Sequence, residues 1–216
     1  LGNYNDSFTS RVVADEIAEF LADKIRQRVD DPAMAEKLIP KSHTFGTKRC
    51  PGEKNFYETF NRDNVDLVDL RETPISRVTE NGIQVGDENH EFDIIIYATG
   101  FQSLTGELMR IDIRGEGGLS LQEHWSDGPK TNLGVQFSGF PNMFAIMGPH
   151  NPATFCNITR CVENNVDWIL GCIRYMQENG YESIVTTPEA EDAWTERCYE
   201  SVKGLLIEDM RDSWFF

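Results

Sequence analysis

The chain has 216 residues, a net charge of −16 at pH 7 and 39% hydrophobic residues. This content is enough for a sizeable core, in one domain or in two small ones. The acidic charge argues against nucleic-acid binding, which needs a basic surface to neutralise phosphates. No apolar run approaches the roughly 18 residues of a membrane helix, and the N-terminus lacks a basic-then-apolar signal pattern. A soluble cytoplasmic protein without membrane partners is therefore expected.

The cysteine and histidine patterns bear on redox state and on metal binding. The five cysteines are widely spaced, and none forms the CxxC pair typical of zinc sites and redox dithiols. The four histidines are scattered rather than paired. Reduced thiols and no metal site are therefore predicted. The cysteines are Cys50, Cys156, Cys161, Cys172 and Cys198.

The first fifty residues are predicted to form two helices and a loop. Apolar residues recur at helical spacing over 6–29, and Asp6 and Ser7 are candidates for the N-cap. A short helix is predicted at 32–38. Residues 40–52 are rich in turn-forming and basic residues and are predicted to form a loop. The apolar residues of the first helix are Phe8, Val12, Val13, Ile17, Phe20, Leu21 and Ile25.

Short elements are predicted between residues 53 and 98. Asn81-Gly82 is a dipeptide that favours a two-residue hairpin turn, and short runs with strand-forming residues flank it. The predicted elements are a short helix at 56–60, a strand at 65–70, a hairpin of 75–79 with 83–85, and a strand at 92–98.

The sequence FDIIIYATGF at 92–101 combines a buried-strand pattern with a turn of small residues. Its three isoleucines and tyrosine are typical of a central strand covered on both faces. Ala98, Thr99 and Gly100 are small enough for a ligand to approach closely, and ligands of α/β folds bind at such strand ends. These residues alone are also compatible with any buried strand that precedes a glycine turn.

After residue 100 the pattern changes to short β segments and then to two long helices. Residues 115–118 read Gly-Glu-Gly-Gly, which imitates a GxGxxG turn but lacks the third glycine at the required spacing, so a hairpin turn is predicted. The β segments are predicted at 111–113, 119–121, 133–137 and 143–147. The helices are predicted at 157–178 and 188–206. The predicted buried face of the first is Ile158, Cys161, Val162, Val166, Ile169, Leu170, Ile173 and Met176.

Several motifs together resemble one enzyme family. FGTKR at 45–49, YETFNRDNV at 57–65, the FDIIIYATGF stretch, GFPNMF at 139–144 and a late Ser-Trp follow one another in a single order. In these motifs the chain resembles the Baeyer–Villiger monooxygenases, most strongly the class of cyclohexanone and phenylacetone monooxygenases. These are single-chain enzymes that hold FAD and NADPH, and the resemblance covers essentially all 216 residues.

The resemblance implies an α/β fold, namely an incomplete flavoprotein with two Rossmann-like dinucleotide-binding domains and a helical insertion. The family's two GxGxxG turns lie toward its N-terminus, and none occurs here. The chain is therefore expected to be the middle and C-terminal part of a longer enzyme. The implied division is a helical insertion and returning linker at 1–52, the remainder of the NADP-binding domain at 53–95, and the remainder of the FAD-binding domain at 96–216.

Lys48 and Arg49 are adjacent cations in a glycine-containing loop of an acidic chain, where both side chains can face an anion. Without the resemblance, a solvated basic pair explains them as well. The resemblance implies that Arg49 is catalytic and holds the anionic peroxide formed when reduced FAD meets oxygen. It implies that Lys48 faces the phosphate of NADPH.

The resemblance also assigns residues to cofactor binding. His150 is not predicted to be catalytic, because a single loop histidine is more often a hydrogen-bonding residue. Trp214, whose indole would reach the nicotinamide, is equally compatible with packing a terminal segment onto the core. Besides Lys48, the implied cofactor-binding residues are Ala98, Thr99, Gly100, Gly148, Pro149, His150 and Trp214.

The function implied by the resemblance is an FAD- and NADPH-dependent monooxygenase. It inserts one oxygen atom of O₂ next to a ketone carbonyl and gives an ester or lactone. The present chain alone is expected to be inactive, because it lacks a glycine turn for a pyrophosphate. Two alternatives stay open: a truncated, non-catalytic interaction or regulatory protein, and another flavin-dependent oxidoreductase.

Overall fold

The computed structural model of the protein describes residues 5–151 and 157–210. The chain divides between Thr99 and Gly100 into two compact units. The N-terminal unit comprises residues 5–99 with 209–210, and the C-terminal unit comprises the described residues of 100–208. Both helices and sheet are present, as the α/β prediction requires at the level of fold class.

Two helices open the N-terminal unit. Helix α1 is Arg11–Arg26, and helix α2 is Pro32–Leu38 as predicted. Helix α1 begins later than expected, because the carbonyl of Asp6 accepts the N–H groups of Thr9 and Ser10 in a preceding turn. Ser10 then has an extended backbone, and its hydroxyl caps the helix by accepting from the N–H of Val13.

The core of this unit lies where the end of α1 meets α2. Not all of the apolar stripe of α1 contributes to it, since the side chains of Val12 and Phe20 are 70% and 60% exposed. A 3₁₀ helix at Tyr57–Asn61 replaces the short helix predicted at 56–60, and its Tyr57 packs against this core. The buried residues are Ala22, Ile25, Val29, Ala35 and Ile39.

A three-stranded antiparallel sheet follows in the order β1-β2-β3. Its strands are β1 at Ile75–Val78, β2 at Gly82–Val85 and β3 at Glu88–Glu91. The predicted Asn81-Gly82 hairpin is confirmed, and the N–H of Thr79 donates to the carbonyl of Gly82 at 2.9 Å. Strand β3 was not predicted. It pairs through the Gly86-Asp87 turn, where Gly86 has a φ of +57° that favours glycine.

The strands predicted at 65–70 and 92–98 are wrong. Both segments lie outside the sheet, and they pair with no other strand of the described residues. A strand needs a neighbour to satisfy its backbone N–H and C=O groups, so apolar composition alone does not create one. Ile94 and Ile96 are 78% and 85% exposed rather than buried. Among the residues that the structure describes, no strand pairs with this β-like sequence.

The C-terminal unit is largely helical. Its helices are α3 at Gly106–Arg110, α4 at Leu121–His124, α5 at Ile158–Asn179 and α6 at Pro188–Val202, with 3₁₀ turns at Glu116–Gly118 and Leu206–Asp209. The two long helices confirm the prediction. Helix α6 ends four residues earlier than expected. Its N-cap is Thr187, and that of α5 is Asn157, whose side chains accept backbone N–H groups of their helices.

The β segments predicted in this unit are wrong. Two isolated antiparallel bridges, Arg114 with Ser120 and Asn132 with Gln136, are found in place of strands. The turn predicted at 115–118 is confirmed between the first pair. Residues near 120 form a helix because Ser120 and Glu123 make a reciprocal capping box at the start of α4.

The core of the C-terminal unit is aromatic, and α5 contributes little to it. Asn165 is the buried residue of α5, whereas Ile158, Leu170 and Ile173 on its predicted buried face are exposed. The apolar period therefore predicted the helix correctly but not its burial, which depends on what packs against it. The core residues are Leu121, Trp125, Phe137, Phe140 and Ala145.

Candidate functional site

The described residues hold no helix long and apolar enough to cross a membrane. The same residues hold no group of three or more histidine, cysteine or acidic side chains placed to bind a metal ion. Cys50, Cys172 and Cys198 are free thiols, as predicted. The prediction is wrong at Cys161, which is disulfide-bonded, because spacing along a chain does not reveal which sulfurs come within bonding distance.

The loop that carries Lys48 and Arg49 is fixed by its preceding residues. Gly46 has a φ of +86°, and a Cβ added to it would lie 3.0 Å from the ring of Phe8, so glycine is needed for conformation and for space. Thr47 is buried, and its hydroxyl donates to the carbonyl of Thr44 at 2.8 Å. The two cations therefore follow directly from an ordered, hydrogen-bonded turn.

Arg49 differs from most arginines of the chain. It is exposed, and within 5–151 and 157–210 its guanidinium makes no ion pair or hydrogen bond. Arg11, Arg28 and Arg71, by contrast, are each paired with a carboxylate. Its neighbour Lys48 is half-buried. A guanidinium that the described acidic residues do not neutralise is available to an external anion.

Ala98, Thr99 and Gly100 lie at the division between the two units and are exposed. They do not end a strand, which corrects the geometry expected for them. Gly100 has a φ of +84°, and a Cβ added there would meet no atom within 4 Å. Its backbone conformation, rather than lack of space, is what favours glycine at this position.

The turn at 148–150 is held by a close approach of two backbone segments. Gly148 and Pro149 are buried. A Cβ added to Gly148 would lie 2.6 Å from the carbonyl oxygen of Gly134, and one added to Gly134 would lie 2.9 Å from that of Pro149. Both positions therefore require glycine. His150 follows with a φ of +64°, which is uncommon for a residue with a side chain.

Thr131 fixes both this turn and the histidine ring. It is fully buried, and its hydroxyl donates to the carbonyl of Pro149 at 3.1 Å and accepts the N–H of Gly134 at 3.2 Å. The same oxygen lies 3.2 Å from Nδ1 of His150. Since the one hydroxyl proton is used on Pro149, the proton of this third contact belongs to the histidine. The neutral ring therefore carries its hydrogen on Nδ1 and leaves Nε2 as an acceptor.

His150 is neutral near neutral pH. Burial lowers its pKa from the ordinary value, and the charge of Glu191 opposes this only in part. Because the unfolded chain binds the proton more readily, His150 makes the folded state less stable as pH falls below about 6.5. Helix α6 also contacts His150. The ring centroids of Tyr199 and His150 are 5.8 Å apart, and the Cys198 thiol donates to the His150 carbonyl.

Two backbone donors of this turn have no hydrogen-bond partner in the part of the chain that the structure describes. Within the described residues, the N–H groups of Gly148 and His150 donate no hydrogen bond. Together with Nε2 of His150, they are polar groups of the turn that no hydrogen bond among the described residues occupies. Trp214, the remaining predicted cofactor residue, lies outside the described residues.

We expect Thr131→Val to release the His150 ring while preserving side-chain volume. The substitution leaves the Pro149 carbonyl and the Gly134 N–H without a partner, which costs about 1–3 kcal/mol of unfolding free energy. Ring ¹⁵N chemical shifts should show loss of the Nδ1–H tautomer. Thr131→Ser keeps the hydroxyl and should keep the tautomer, and a preserved Nδ1–H tautomer in Thr131→Val would contradict this assignment.

Comparison with known proteins identifies the family. No family model matches the chain. It is 48% identical over 214 residues to 2-oxo-Δ³-4,5,5-trimethylcyclopentenylacetyl-CoA monooxygenase of Pseudomonas putida, covering 99% of this chain and 39% of that protein. It is 41% identical over 216 residues to a Baeyer–Villiger monooxygenase of Pseudooceanicola batsensis, covering 100% of this chain and 39% of that protein. The chain is homologous, over its whole length, to about two fifths of the length of the Baeyer–Villiger monooxygenases.

A solved structure supports the same relationship. The crystal structure of OTEMO in complex with FAD and NADP (form 4) aligns with a TM-score of 0.92 and 48% identity, over 98% of this chain and 40% of that one. The resemblance indicated by the motifs is thereby confirmed. This Baeyer–Villiger homologue spans 39% of the length of the two curated relatives described above.

Sequence reasoning missed one buried carboxylate of this chain. Glu191 in the first turn of α6 is 2% exposed, and it accepts the N–H of Ser138 at 2.9 Å and the Ser138 hydroxyl at 2.6 Å. Its other contact is Nε2 of His124 at 3.0 Å. Acidic residues are common in the first turn of helices, so nothing in the sequence separates Glu191 from its exposed neighbour Glu189.

Proposed function

We propose that this chain forms the middle and C-terminal part of an FAD- and NADPH-dependent monooxygenase. The intact enzyme inserts one oxygen atom of O₂ beside a ketone carbonyl and produces an ester or lactone. The observation that carries the proposal is the alignment of 98% of the chain, at 48% identity, with a structure described as a complex with FAD and NADP.

The proposal includes two Rossmann-like dinucleotide-binding domains. Residues 1–52 contribute the helical insertion and linker, 53–95 complete the NADP-binding domain, and 96–216 complete the FAD-binding domain. The division of the chain at Thr99 and Gly100, close to the second of these boundaries, supports this organisation. The exposed apolar residues Ile94 and Ile96 are consistent with a strand that pairs with sheet supplied by the rest of the enzyme.

The residues of this chain fit the cofactors in chemical type. FAD, when bound, supplies hydride acceptance from NADPH and activation of O₂. The N–H groups of Gly148 and His150, which donate to no described residue, are suited to the electron-rich edge of a flavin. Ala98, Thr99 and Gly100 leave open space beside the backbone, as a close cofactor approach requires.

Arg49 is the residue to which we assign catalysis. Its guanidinium keeps a permanent positive charge, which in the intact enzyme stabilises the negative charge that develops on oxygen. Lys48 binds the phosphate of NADPH, and Trp214 donates its indole N–H toward the nicotinamide. These three roles follow from the family resemblance together with the unpaired state of Arg49 within the described residues.

A comparison of two polypeptides tests the proposal. A protein that joins this chain to an N-terminal portion with both GxGxxG turns should bind FAD stoichiometrically and oxidise NADPH faster when a cyclic ketone is added. The 216-residue chain alone should do neither, because it lacks those turns. NADPH oxidation that no ketone stimulates would favour another flavin-dependent oxidoreductase. Tight FAD uptake by the chain alone would overturn its predicted inactivity.

A further inference from the structure

The cation-bearing loop, residues 45–52, lies between two attachment points on the same helical element. The segment before the loop is attached to Asp15 in α1, and the segment after it is attached to Arg28, two residues beyond the end of α1.

The first attachment is a hydrogen bond from Thr44. Its hydroxyl donates to Oδ1 of Asp15 at 2.6 Å, and Thr44 itself is buried. This contact is the main reason that the pKa of Asp15 is lowered. Arg11 also donates to Asp15 at 3.0 Å, which holds the carboxylate in place along the helix. Thr47 then donates back to the Thr44 carbonyl, so the turn that precedes Lys48 is joined to α1.

The second attachment is a forked ion pair. Arg28 donates to Glu58 through Nε at 2.6 Å and through Nη2 at 2.7 Å, and to Glu53 through Nη1 at 2.5 Å. Its guanidinium also lies over the Tyr57 ring, 5.2 Å from the centroid. Such two-pronged contacts restrict orientation as well as distance. Asn61 adds to the attachment by donating to the Arg28 carbonyl at 2.8 Å.

The spacing of the attachments limits the movement of the loop. Asp15 and Arg28 are 13 residues apart, about 20 Å along a helix at its usual rise per residue. The segment from Thr44 to Glu53 has nine Cα-to-Cα steps and reaches at most about 32 Å when fully extended. While both attachments persist, the middle of the loop can therefore depart from the line that joins them by at most about 12 Å.

We propose that Asp15 and Arg28 are positioning residues that hold the 45–52 loop so that Arg49 is presented in one place to the anion it stabilises. The proposal rests on the proposed function, in which Arg49 is catalytic. Neither residue is assigned contact with substrate or cofactor. Each acts through the loop, because its partners lie immediately on either side of it.

The chain offers a matched control for Arg28. Arg26 is the last residue of α1, two residues before Arg28, and it pairs with Glu19 at 2.7 Å, Asp23 at 2.9 Å and Glu36 at 2.8 Å. These partners all belong to α1 and α2, so Arg26 has a comparable set of ion pairs without a direct bond to residues 44–53; Glu36 also contacts Lys41 at 3.3 Å, so exchange at 41–43 is left out of the comparison. Arg28→Met and Arg26→Met therefore remove similar interactions with different expected consequences.

The test measures amide hydrogen exchange across 41–56 and steady-state kinetics of ketone oxygenation in the full-length protein. We expect Arg28→Met to accelerate exchange in the loop about tenfold and to lower kcat about tenfold to a hundredfold, because a displaced catalytic group loses rate steeply. The KM for NADPH should change less than kcat. Arg26→Met should change loop exchange and kcat less than about twofold. Equal behaviour of the two variants would overturn the proposal.

A second pair of variants keeps the test independent of the folding of Arg28→Met. Thr44→Val breaks the first attachment, whereas Thr44→Ser keeps its hydroxyl and should restore wild-type exchange. Unchanged loop exchange in Thr44→Val would remove Asp15 from the proposal. Hydrogen exchange needs no ketone turnover. A wild-type protein that does not oxygenate ketones would therefore refute the proposed function while the loop attachments are still measured.

Discussion

Arg49→Ala should abolish most ketone oxygenation while the protein remains folded. In the full-length enzyme we expect kcat for ester formation to fall by about 10²–10³-fold, the usual loss when a donor that stabilises developing negative charge is removed. Because Arg49 is exposed and has no partner among the described residues, its removal should leave the unfolding midpoint unchanged. NADPH oxidation and ester production should be measured on the same sample.

Arg62→Ala is the control for this variant. Arg62 is also an exposed arginine of the N-terminal unit, and its side chain has no ion pair with a described residue. It should retain wild-type ester production, which separates the role of position 49 from the loss of one positive charge. Arg49→Lys keeps the positive charge but lacks the planar guanidinium. We therefore expect its ester production to lie between those of Arg49→Ala and the wild type. Wild-type ester production by Arg49→Ala would remove the catalytic assignment.

Glu191→Ala should be the most destabilising single change among the residues discussed. It removes the acceptor for the Ser138 N–H, the Ser138 hydroxyl and His124 Nε2, all inside the C-terminal unit. Breaking a buried charged network by removing one partner typically costs about 3–5 kcal/mol. The free energy of unfolding should be measured by denaturant titration at pH 7.

Glu189→Ala supplies the comparison for Glu191→Ala. Glu189 occupies the same first turn of α6 but is exposed. Its substitution should lower the free energy of unfolding by at most about 1 kcal/mol, through the lost interaction with the helix dipole. Ser138→Ala removes only the hydroxyl contact to Glu191, so its loss of unfolding free energy should lie between those of the two glutamate variants. A Glu191→Ala protein as stable as Glu189→Ala would mean that the buried network does not stabilise the fold.

The elements predicted correctly are those determined by neighbouring residues. Helices α2 and α5 have local caps at Asp31 and Asn157, and the Asn81-Gly82 turn carries its own backbone preference. The Ser120–Glu123 capping box was equally local and could have predicted α4, but the apolar run beside it was interpreted as a strand. Strand β3 was similarly predictable from the Gly86-Asp87 turn.

The features that were predicted incorrectly depend on partners elsewhere in space. The run of isoleucines at 94–96 has the composition of a central strand, yet burial and pairing require neighbouring strands that the described residues do not supply. The same reason explains the exposed Leu170 and Ile173 of α5. Composition records the environment for which a segment is suited, whereas its observed exposure depends on which other elements are present.

The contacts that support the candidate site could not be predicted from the sequence either. Arg49 could be selected from its loop and its charge, but its supports could not, since Arg28 lies 25 residues before Glu53 and 30 before Glu58. Thr131 is likewise 19 residues from His150. Contacts between side chains so far apart in sequence follow from the fold and leave no local pattern.

Isotope tracing of oxygen tests the proposed monooxygenase most directly. The full-length protein that contains this chain should be incubated with FAD, NADPH, a cyclic ketone and ¹⁸O₂, and the product analysed by mass spectrometry. The proposed function predicts one ¹⁸O atom in each molecule of ester or lactone. The Arg49→Ala variant should form much less of this labelled product than the wild type. NADPH oxidation that produces labelled hydrogen peroxide or water and no labelled ester would contradict it.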